Sequence, residues 1–440
     1  MLRNLLRGLL HLLPESLGVR IVQIWRSRKY WMSGVRLRLG ASGYITRYIS
    51  DYTVYWVNPQ KIIFAMNSEG FGQSAPYPRN QINYEFNVYE YKGRVVGGDW
   101  DGLQRKFCEL DFYRSYEARA RKGTSWEQLP YYGRVLGQIE KGTEKWGCKC
   151  KGDLDERCRI LDRIFDDIKR NGYKSRAMQK KEWGKGNLFD EDDEITVNIG
   201  RYGDLIFNNG RHRLTLAKIA GVEMVPVNIT VRHSEWEKFV NEVEDYIQKN
   251  NGKVLAPLTH IGLQHISVPR TDERFEIIRR SIGERNSTLL DIGARWGYFC
   301  HRFEESGFHC TAVENDPENL YFLEKLRRAE SKEFEVITEP ISTLWDRGPL
   351  KYDIVLALDI FNDLFGEKAC LEDWRRLLNS VDMNEMYLGL RAYAETQMEG
   401  ACVNLSSEEV VSFVLENSCL NRYKLLGEFG EARALYKLWR

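Results

Sequence analysis

The chain has 440 residues, of which 43% are hydrophobic and 29% charged, and its formal net charge is +1. This length predicts two or three domains of ordinary globular composition, and the near-zero charge gives little support to a nucleic-acid-binding function. The nine cysteines are odd in number and scattered, which excludes a disulfide framework and favours a reducing cytoplasm.

Residues 1–56 form a locally basic N-terminal extension. It contains nine arginines and lysines but only two acidic residues, Glu15 and Asp51. Leucines at helical spacing across residues 1–13 predict an amphipathic helix that Pro14 ends. Such a helix either docks on its own protein or lies in a membrane interface. It is too short and too charged to span a bilayer, and no signal-peptide cleavage site follows it.

Residues 57–250 predict a mixed α+β domain of short strands, with a helical insertion between about residues 103 and 185. Helices are expected over residues 107–122, 124–137 and 154–171, the second with a capping box from Thr124 to Glu127. Cys148, Cys150 and Cys158 lack the paired spacing and the nearby histidine of a zinc site, so no metal is expected. Asp99 and Asp101 follow two glycines, which suits a metal site, a catalytic base or simple turn capping.

A second stretch of this domain points to an anion site. Strands over 195–199 and 205–207 lead through Gly210 into a helix that starts near Arg211. Arg211, His212 and Arg213 therefore lie on a first helical turn, where free N–H groups, the helix dipole and guanidinium groups favour a phosphate. The alternative is that these side chains merely pin the helix to a neighbouring carboxylate.

The turn Gly210, Arg211, His212 and Arg213 resembles that of the ParB/sulfiredoxin-like fold, and the run from residue 57 to 62 is similar to the opening strand of that fold. The resemblance covers residues 57–235. It implies nucleotide binding, with ATP or CTP as the expected nucleotide. The turn has no cysteine, which argues against sulfiredoxin chemistry.

Residues 251–284 predict a linker with a lead-in helix over 271–282, and residues 285–440 predict an α/β domain. Its apolar runs predict strands over 310–316, 334–337, 352–358, 385–390, 423–427 and 432–439, after a first strand that ends near residue 292. Strands that alternate with helices predict a Rossmann-like, doubly wound parallel sheet, and the last two strands are expected to pair antiparallel at its edge.

The first strand of this domain runs into Asp291, Gly293 and Gly297, which predicts a tight loop that presents a helix N-terminus to a ligand. The spacing is not the G-x-G-x-x-G of dinucleotide sites. A carboxylate before the first glycine would repel a pyrophosphate and suits the cationic methionine end of S-adenosylmethionine.

Across residues 270–440 the chain resembles class I S-adenosylmethionine-dependent methyltransferases. The first motif of that family is matched by Asp291, Gly293, Gly297 and Tyr298. The acid that accepts hydrogen bonds from the ribose hydroxyls is matched by Glu314. The resemblance implies S-adenosylmethionine as cofactor. Two departures stand out: Arg295 replaces the usual middle glycine, and Asn362 with Asp363 stand where relatives often carry a histidine pair.

Methyl transfer is an in-line displacement, so a general base is needed only for an acceptor that arrives protonated. Asp359 and Asp363, after the fourth strand, are the candidate catalytic residues. The resulting hypothesis is a cytoplasmic methyltransferase that acts on a small-molecule, glycan or nucleotide-linked acceptor, with peripheral membrane contact through residues 1–13 left open. Its alternatives are a ParB-like kinase or nucleotidase on a methyltransferase-fold scaffold, and a nucleic-acid-modifying protein.

Overall fold

The computed structural model describes residues 54–66, 93–102, 104–175, 194–254, 256–283, 287–348, 350–360, 368–391, 406–429 and 433–440. The helix predicted over residues 1–13 and the candidate Asp363 lie outside these ranges. The described residues form a mixed α/β protein with two seven-stranded sheets. None of its described helices combines the length and the apolar composition needed to cross a bilayer.

The first sheet combines parallel and antiparallel pairs. Its strands are β1 (Tyr55–Val57), β2 (Phe64–Met66), β3 (Arg94–Val96), β4 (Gln104–Lys106), β5 (Ile195–Ile199), β6 (Leu205–Asn209) and β7 (Val225–His233). They lie in the order β1-β7-β5-β6-β2-β4, and β3 pairs with the far end of β7. The central β7 is buried along its whole length, so the sheet is covered on both faces.

The predicted helical insertion is present as α1 (Asp111–Lys122), α2 (Pro130–Glu140) and α3 (Lys151–Asn171), which share an apolar core. The predicted capping box from Thr124 to Glu127 is wrong. Residues 126–128 form a separate 3-10 turn, and α2 begins at Pro130. A proline suits the first helical position and keeps the preceding Leu129 extended, so the helix cannot start earlier.

Two helices and a linker complete the first half of the chain. The helix α4 (Arg211–Ala220) starts at the predicted residue and is closed by Gly221 in a left-handed conformation. It is followed, after β7, by α5 (Ser234–Lys249). The predicted lead-in helix is α6 (Glu273–Ser281), which Asp272 caps by accepting the backbone N–H of Arg274.

The second sheet contains the predicted parallel strands. They are β8 (Thr288–Ile292), β9 (His309–Val313), β10 (Glu335–Ile337), β11 (Leu350–Leu358) and β12 (Val381–Arg391), followed by β13 (Arg422–Phe429) and β14 (Arg433–Trp439). Helices α7 (Tyr298–Glu305), α8 (Pro317–Ala329), α9 (Ile341–Leu344), α10 (Lys368–Ser380) and α11 (Ser407–Glu416) lie between them.

The order of the second sheet is β10-β9-β8-β11-β12-β14-β13. Strands β8 to β12 are mutually parallel, and β14 is antiparallel to both β12 and β13, which confirms the expected antiparallel edge. The order reverses between β8 and β11, which is where open α/β sheets bind their ligands. The antiparallel β14 departs from the six parallel strands of the dinucleotide-binding order.

The two halves of the molecule share one continuous apolar core. The Trp296 ring stacks on Phe322 at 4.4 Å, and its edge meets Tyr246 of α5 at 5.0 Å. A Cβ atom placed on Gly203, in the turn between β5 and β6, would overlap with Ala329 at the end of α8. The second sheet and its helices are therefore packed directly against the first part of the chain.

Candidate functional site

The predicted glycine loop connects β8 to α7 at the reversal of the strand order. Gly293 and Gly297 have φ angles of 74° and 79°, which a glycine adopts without steric cost. The N–H groups of Gly293 and Ala294 donate to the carbonyl of Val313 at 2.9 and 3.0 Å. The loop is thus held against the end of the neighbouring strand β9.

Glu314 lies directly beside this loop. Its Oε2 accepts the backbone N–H of Arg295 at 2.8 Å, and its Oε1 accepts those of Asn315 and Asp316 at 3.0 and 2.9 Å. The carboxylate is 6% exposed. The acid matched to the ribose-binding position and the glycine loop are therefore in hydrogen-bond contact across two parallel strands.

Asp291 lies under the loop, near the end of β8, and is 2% exposed. Its nearest partner is the Cys300 thiol, which donates to Oδ2 at 3.8 Å. Burial raises the pKa of Asp291 to about 7, and the negative charge of Glu314 acts in the same direction. The charge of Glu314 therefore acts on the second acid that the sequence singled out in this region.

Arg295 occupies the position of the middle glycine with a φ angle of 54°. This left-handed conformation is unfavourable for a residue that carries a side chain, whereas a glycine adopts it without steric cost. The backbone has kept the shape of a glycine loop although the side chain has changed.

The space above Gly293 is filled by Ile360, which follows β11. A Cβ atom on Gly293 would overlap with Cδ1 of Ile360. The close approach to Gly293 that the sequence predicts for a ligand is made in this structure by a side chain of the protein itself. Sequence reasoning missed Ile360, because an isoleucine after a buried strand is typical of ordinary core packing.

Asp359 lies at the tip of β11 and is paired with an arginine from the lead-in helix. Its Oδ2 is 2.9 Å from Nη1 of Arg274. The Nη2 atom of the same arginine lies 2.7 Å from Oδ2 of Asp272. Asp359 is 4% exposed and has a φ angle of 65°. The candidate base is thus held in a buried ion pair. Sequence reasoning missed this role of Arg274, whose position in the first turn of α6 indicated only a helix start.

Tyr298, the first residue of α7, is packed in the interior next to the glycine loop. It is 4% exposed, and its hydroxyl accepts the backbone N–H of Asp272 at 3.0 Å. Burial raises the pKa of this phenol. The structure therefore places Tyr298 between the glycine loop and α6, within the packed interior.

The predicted phosphate turn begins α4. Gly210 has a φ angle of 94°, and Arg213 is 4% exposed. The His212 ring is buried against Phe112 at 4.4 Å, and its Nε2 is 3.1 Å from the hydroxyl of Tyr131. Burial, together with neighbouring arginines, lowers the pKa of His212 well below its ordinary value. The imidazole therefore faces the helical insertion.

Asp99 and Asp101 are engaged by Arg201, in the turn between β5 and β6. The Nη2 atom of Arg201 lies 2.8 Å from Asp99 and 2.6 Å from Asp101, and its backbone N–H donates to Asp101 at 2.7 Å. Burial would raise the pKa of Asp101, but the hydrogen bonds from Arg201 lower it. In the described part of the chain, no group of three or more histidine, cysteine or acidic side chains is arranged to hold a metal ion.

No family model matches the chain, and no curated protein sequence matches it at a significant level. Solved structures that resemble it include the bifunctional kinase-methyltransferase WbdD, at 16% identity over 44% of this chain and 46% of WbdD, with a TM-score of 0.35. A SAM-dependent methyltransferase from Aquifex aeolicus is 17% identical over 38% of this chain and 87% of its own, with a TM-score of 0.29.

A third similar structure is magnesium protoporphyrin IX methyltransferase (ChlM) from Synechocystis PCC 6803 with bound SAM. It is 13% identical over 46% of this chain and 96% of its own, with a TM-score of 0.32. The chain spans less than half the length of WbdD. Solved structures similar to this chain thus include SAM-dependent methyltransferases, but likeness at these TM-scores carries no conclusion about its activity.

Proposed function

We propose that the second domain binds S-adenosylmethionine at the 293–297 loop and transfers its methyl group to a small-molecule, glycan or nucleotide-linked acceptor. The observation that carries this proposal is the hydrogen bond from the Arg295 backbone N–H to Glu314 at 2.8 Å. It puts a buried carboxylate, matched to the ribose position of class I methyltransferases, beside a glycine loop at the reversal of the strand order.

The charge of the loop favours this cofactor over a dinucleotide. Asp291 and Glu314 are both buried at the carboxyl ends of adjacent strands. The negative charge of Glu314, and that of Asp291 once it is ionised, opposes a pyrophosphate and is compatible with a sulfonium and with ribose hydroxyl groups. Gly293, Gly297 and Glu314 would contact the cofactor, and Asp291 and Tyr298 would hold the loop in shape.

Methyl transfer from a sulfonium requires mainly orientation and exclusion of water, because the leaving group is already good. Asp359 and Asp363 remain the proposed proton acceptors for a protonated acceptor. The Oδ2 atom of Asp359 can take a proton only after it leaves Arg274. An acceptor that binds Arg274 in place of Asp359 would release this carboxylate.

The first domain is proposed to bind a phosphate or nucleotide, ATP or CTP, at Gly210, Arg211, His212 and Arg213. No side chain of the N-cap residue Gly210 caps the first turn of α4, and Arg211 and Arg213 add positive charge. His212 would contribute its backbone N–H, because its ring is occupied by Tyr131. This domain is the part of the chain that resembles the ParB/sulfiredoxin-like fold.

Calorimetric titration of the full chain with S-adenosylmethionine and S-adenosylhomocysteine tests the cofactor proposal. We expect binding by the wild type and a loss of at least about tenfold in affinity in Glu314→Gln, which is about 1.4 kcal/mol. The control is Glu335→Gln, which alters an exposed carboxylate on β10. A wild type that binds neither compound, or equal weakening by both substitutions, would contradict the proposal.

A further inference from the structure

The helix α3 of the helical insertion carries a buried positive charge that no acidic side chain in the described part of the chain pairs with. Arg157 is 3% exposed, and its Nη1 donates to the carbonyl of Trp146 at 3.3 Å. Its Nε is buried without a hydrogen bond. Among the described residues, no carboxylate lies within ion-pair distance of this guanidinium. A guanidinium has five N–H donors and is always charged, so an isolated buried one is costly and calls for an anion.

The titratable groups around Arg157 are neutral and do not compensate its charge. Burial raises the pKa of Cys158 to about 12 and also raises those of Cys148 and Tyr131. Burial lowers the pKa of His212, and Arg157 is the largest of the charges that reinforce this effect. Two thiols, a phenol and a neutral imidazole therefore surround the guanidinium at neutral pH.

The acids nearest to this part of α3 already have other partners. Asp162 accepts two hydrogen bonds from Arg119, at 2.8 and 2.5 Å. Asp155 pairs with Lys151 at 2.8 Å. Neither carboxylate turns toward Arg157, although both are on the same helix. The charges of Arg134, Arg211 and Arg213 also lower the pKa of His212, and Arg134 is itself paired with Asp111.

The indole ring of Trp146 lies against Arg157, and the backbone of this residue has an unusual conformation. Trp146 has a φ angle of 50°, which is uncommon for a bulky residue and costs free energy. Its ring lies 5.3 Å from the guanidinium carbon of Arg157 and stacks on Tyr131 at 5.9 Å. Trp146 is partly exposed, so the aromatic face that covers the guanidinium reaches the protein surface.

We propose that Arg157 is the centre of an oxyanion-binding site that takes a phosphoryl group, with Trp146 as its wall. A guanidinium binds two oxygens of a phosphate at once. The surrounding arginines favour a doubly charged phosphoryl group over a carboxylate. The site depends neither on methyl transfer nor on the phosphate proposed at the start of α4.

Thermal unfolding and calorimetry of the full chain with inorganic pyrophosphate test this site. We expect the wild-type Tm to rise with pyrophosphate concentration, because a ligand that binds only the folded state stabilises it. Arg157→Met should keep its Tm in anion-free buffer and lose at least tenfold in pyrophosphate affinity. Arg163→Met is the matched control, since Arg163 is on the same helix with a 69% exposed side chain.

Tryptophan fluorescence gives a second measurement with Arg157 intact. Pyrophosphate should change the emission of the wild type, and Trp146→Phe should remove that change. The proposal is overturned by a wild type that does not respond, by Arg157→Met that still binds, or by a fluorescence change that persists in Trp146→Phe. A large loss of Tm in Arg157→Met without anion would show a structural role instead. Loss of binding in Arg211→Gln, with binding retained in Arg157→Met, would assign the phosphate to α4.

Discussion

The Nζ atom of Lys61 lies 2.8 Å from Oε2 of Glu330 and joins the first domain to the end of α8. Lys61 also contacts Glu305, at the end of α7, at 2.5 Å. Burial alone would raise the pKa of Glu330, but the charge and hydrogen bond of Lys61, together with His301 and His260, lower it below the ordinary range. Because α7 begins at the glycine loop and α8 begins just beyond Glu314, this lysine ties the domain interface to both helices that frame the proposed cofactor site.

Lys61→Met is expected to destabilise the chain by about 3–5 kcal/mol at pH 7, because it leaves the buried carboxylate of Glu330 without its partner. Chemical denaturation measures the free energy of unfolding. The control is Lys238→Met, whose pair with Glu235 is exposed on both sides and should contribute at most about 1 kcal/mol. Equal effects of the two substitutions would contradict the buried role of Lys61.

The same pair predicts a pH dependence. The folded-state pKa of Glu330 is lowered, so its stabilising contribution is present above the unfolded pKa near 4.5 and is lost as the pH falls. The difference in unfolding free energy between the wild type and Lys61→Met should therefore shrink as the pH falls below about 5. A difference that stays constant down to pH 3 would argue against this linkage.

Gly293→Ala is expected to destabilise the chain by more than about 2 kcal/mol, because its φ angle is left-handed and its new methyl group would overlap Ile360. Ile360→Ala should recover part of that loss in the double variant, since it removes the steric overlap but not the backbone strain. The coupling free energy from a double-mutant cycle measures this. A coupling near zero would mean that Ile360 does not cover Gly293 in solution.

The contact of Ile360 with Gly293 also bears on the ligand. If S-adenosylmethionine occupies the space above Gly293, Ile360 has to move, and Ile360→Ala should bind S-adenosylhomocysteine more tightly than the wild type. Calorimetric affinities of the two proteins test this. Weaker binding by Ile360→Ala would show instead that the isoleucine packs against the ligand.

Arg295→Gly is expected to stabilise the chain modestly, by up to about 1 kcal/mol, because a glycine adopts the φ angle of 54° without strain. The greater freedom of glycine in the unfolded chain offsets part of that gain. Arg295→Ala keeps the strain and should not stabilise. Urea unfolding of the two variants separates the backbone effect from the loss of the side chain.

Asp291→Asn is expected to flatten the pH dependence of stability between about pH 4 and 7. The folded-state pKa of Asp291, about 7, is above the ordinary value of 3.8 for an aspartate, so the folded state holds the proton more tightly. Stability therefore falls as the pH rises through this window. The effect is on the order of 4 kcal/mol at most. Chemical denaturation at pH 5 and pH 8 measures how much the unfolding free energy changes between these two pH values. The same change in the variant and in the wild type would contradict the prediction.

Much of the local structure was predictable, because it depends on short-range chemistry. The start of α4 at Arg211 and its end at Gly221 follow from glycines with left-handed backbones at both ends. The proximity of Glu314 to the glycine loop follows from a rule of parallel sheets, since the ends of successive strands meet at one edge. The antiparallel edge of the second sheet was likewise expected from two strands that follow the last crossover.

Other features depend on segments far apart in the chain, and local patterns do not report them. His212 looked like a phosphate ligand, yet its ring bonds to Tyr131, 81 residues earlier. Asp359 looked like a free base, yet it pairs with Arg274, 85 residues away. Each side chain is polar and lies near a predicted site. Whether it faces a ligand or another part of the protein depends on which elements pack against it.

The amino-acid pattern alone therefore specified the strands, the glycine loop and the acids at the strand tips, because periodicity, glycine conformations and strand polarity are local properties. The folded chain alone revealed that Ile360 covers Gly293 and that Lys61 joins the first sheet region to α8. It also revealed that no acid among the described residues pairs with the buried charge of Arg157. These are contacts between segments distant in sequence, and burial changes both the charge and the availability of the groups that make them.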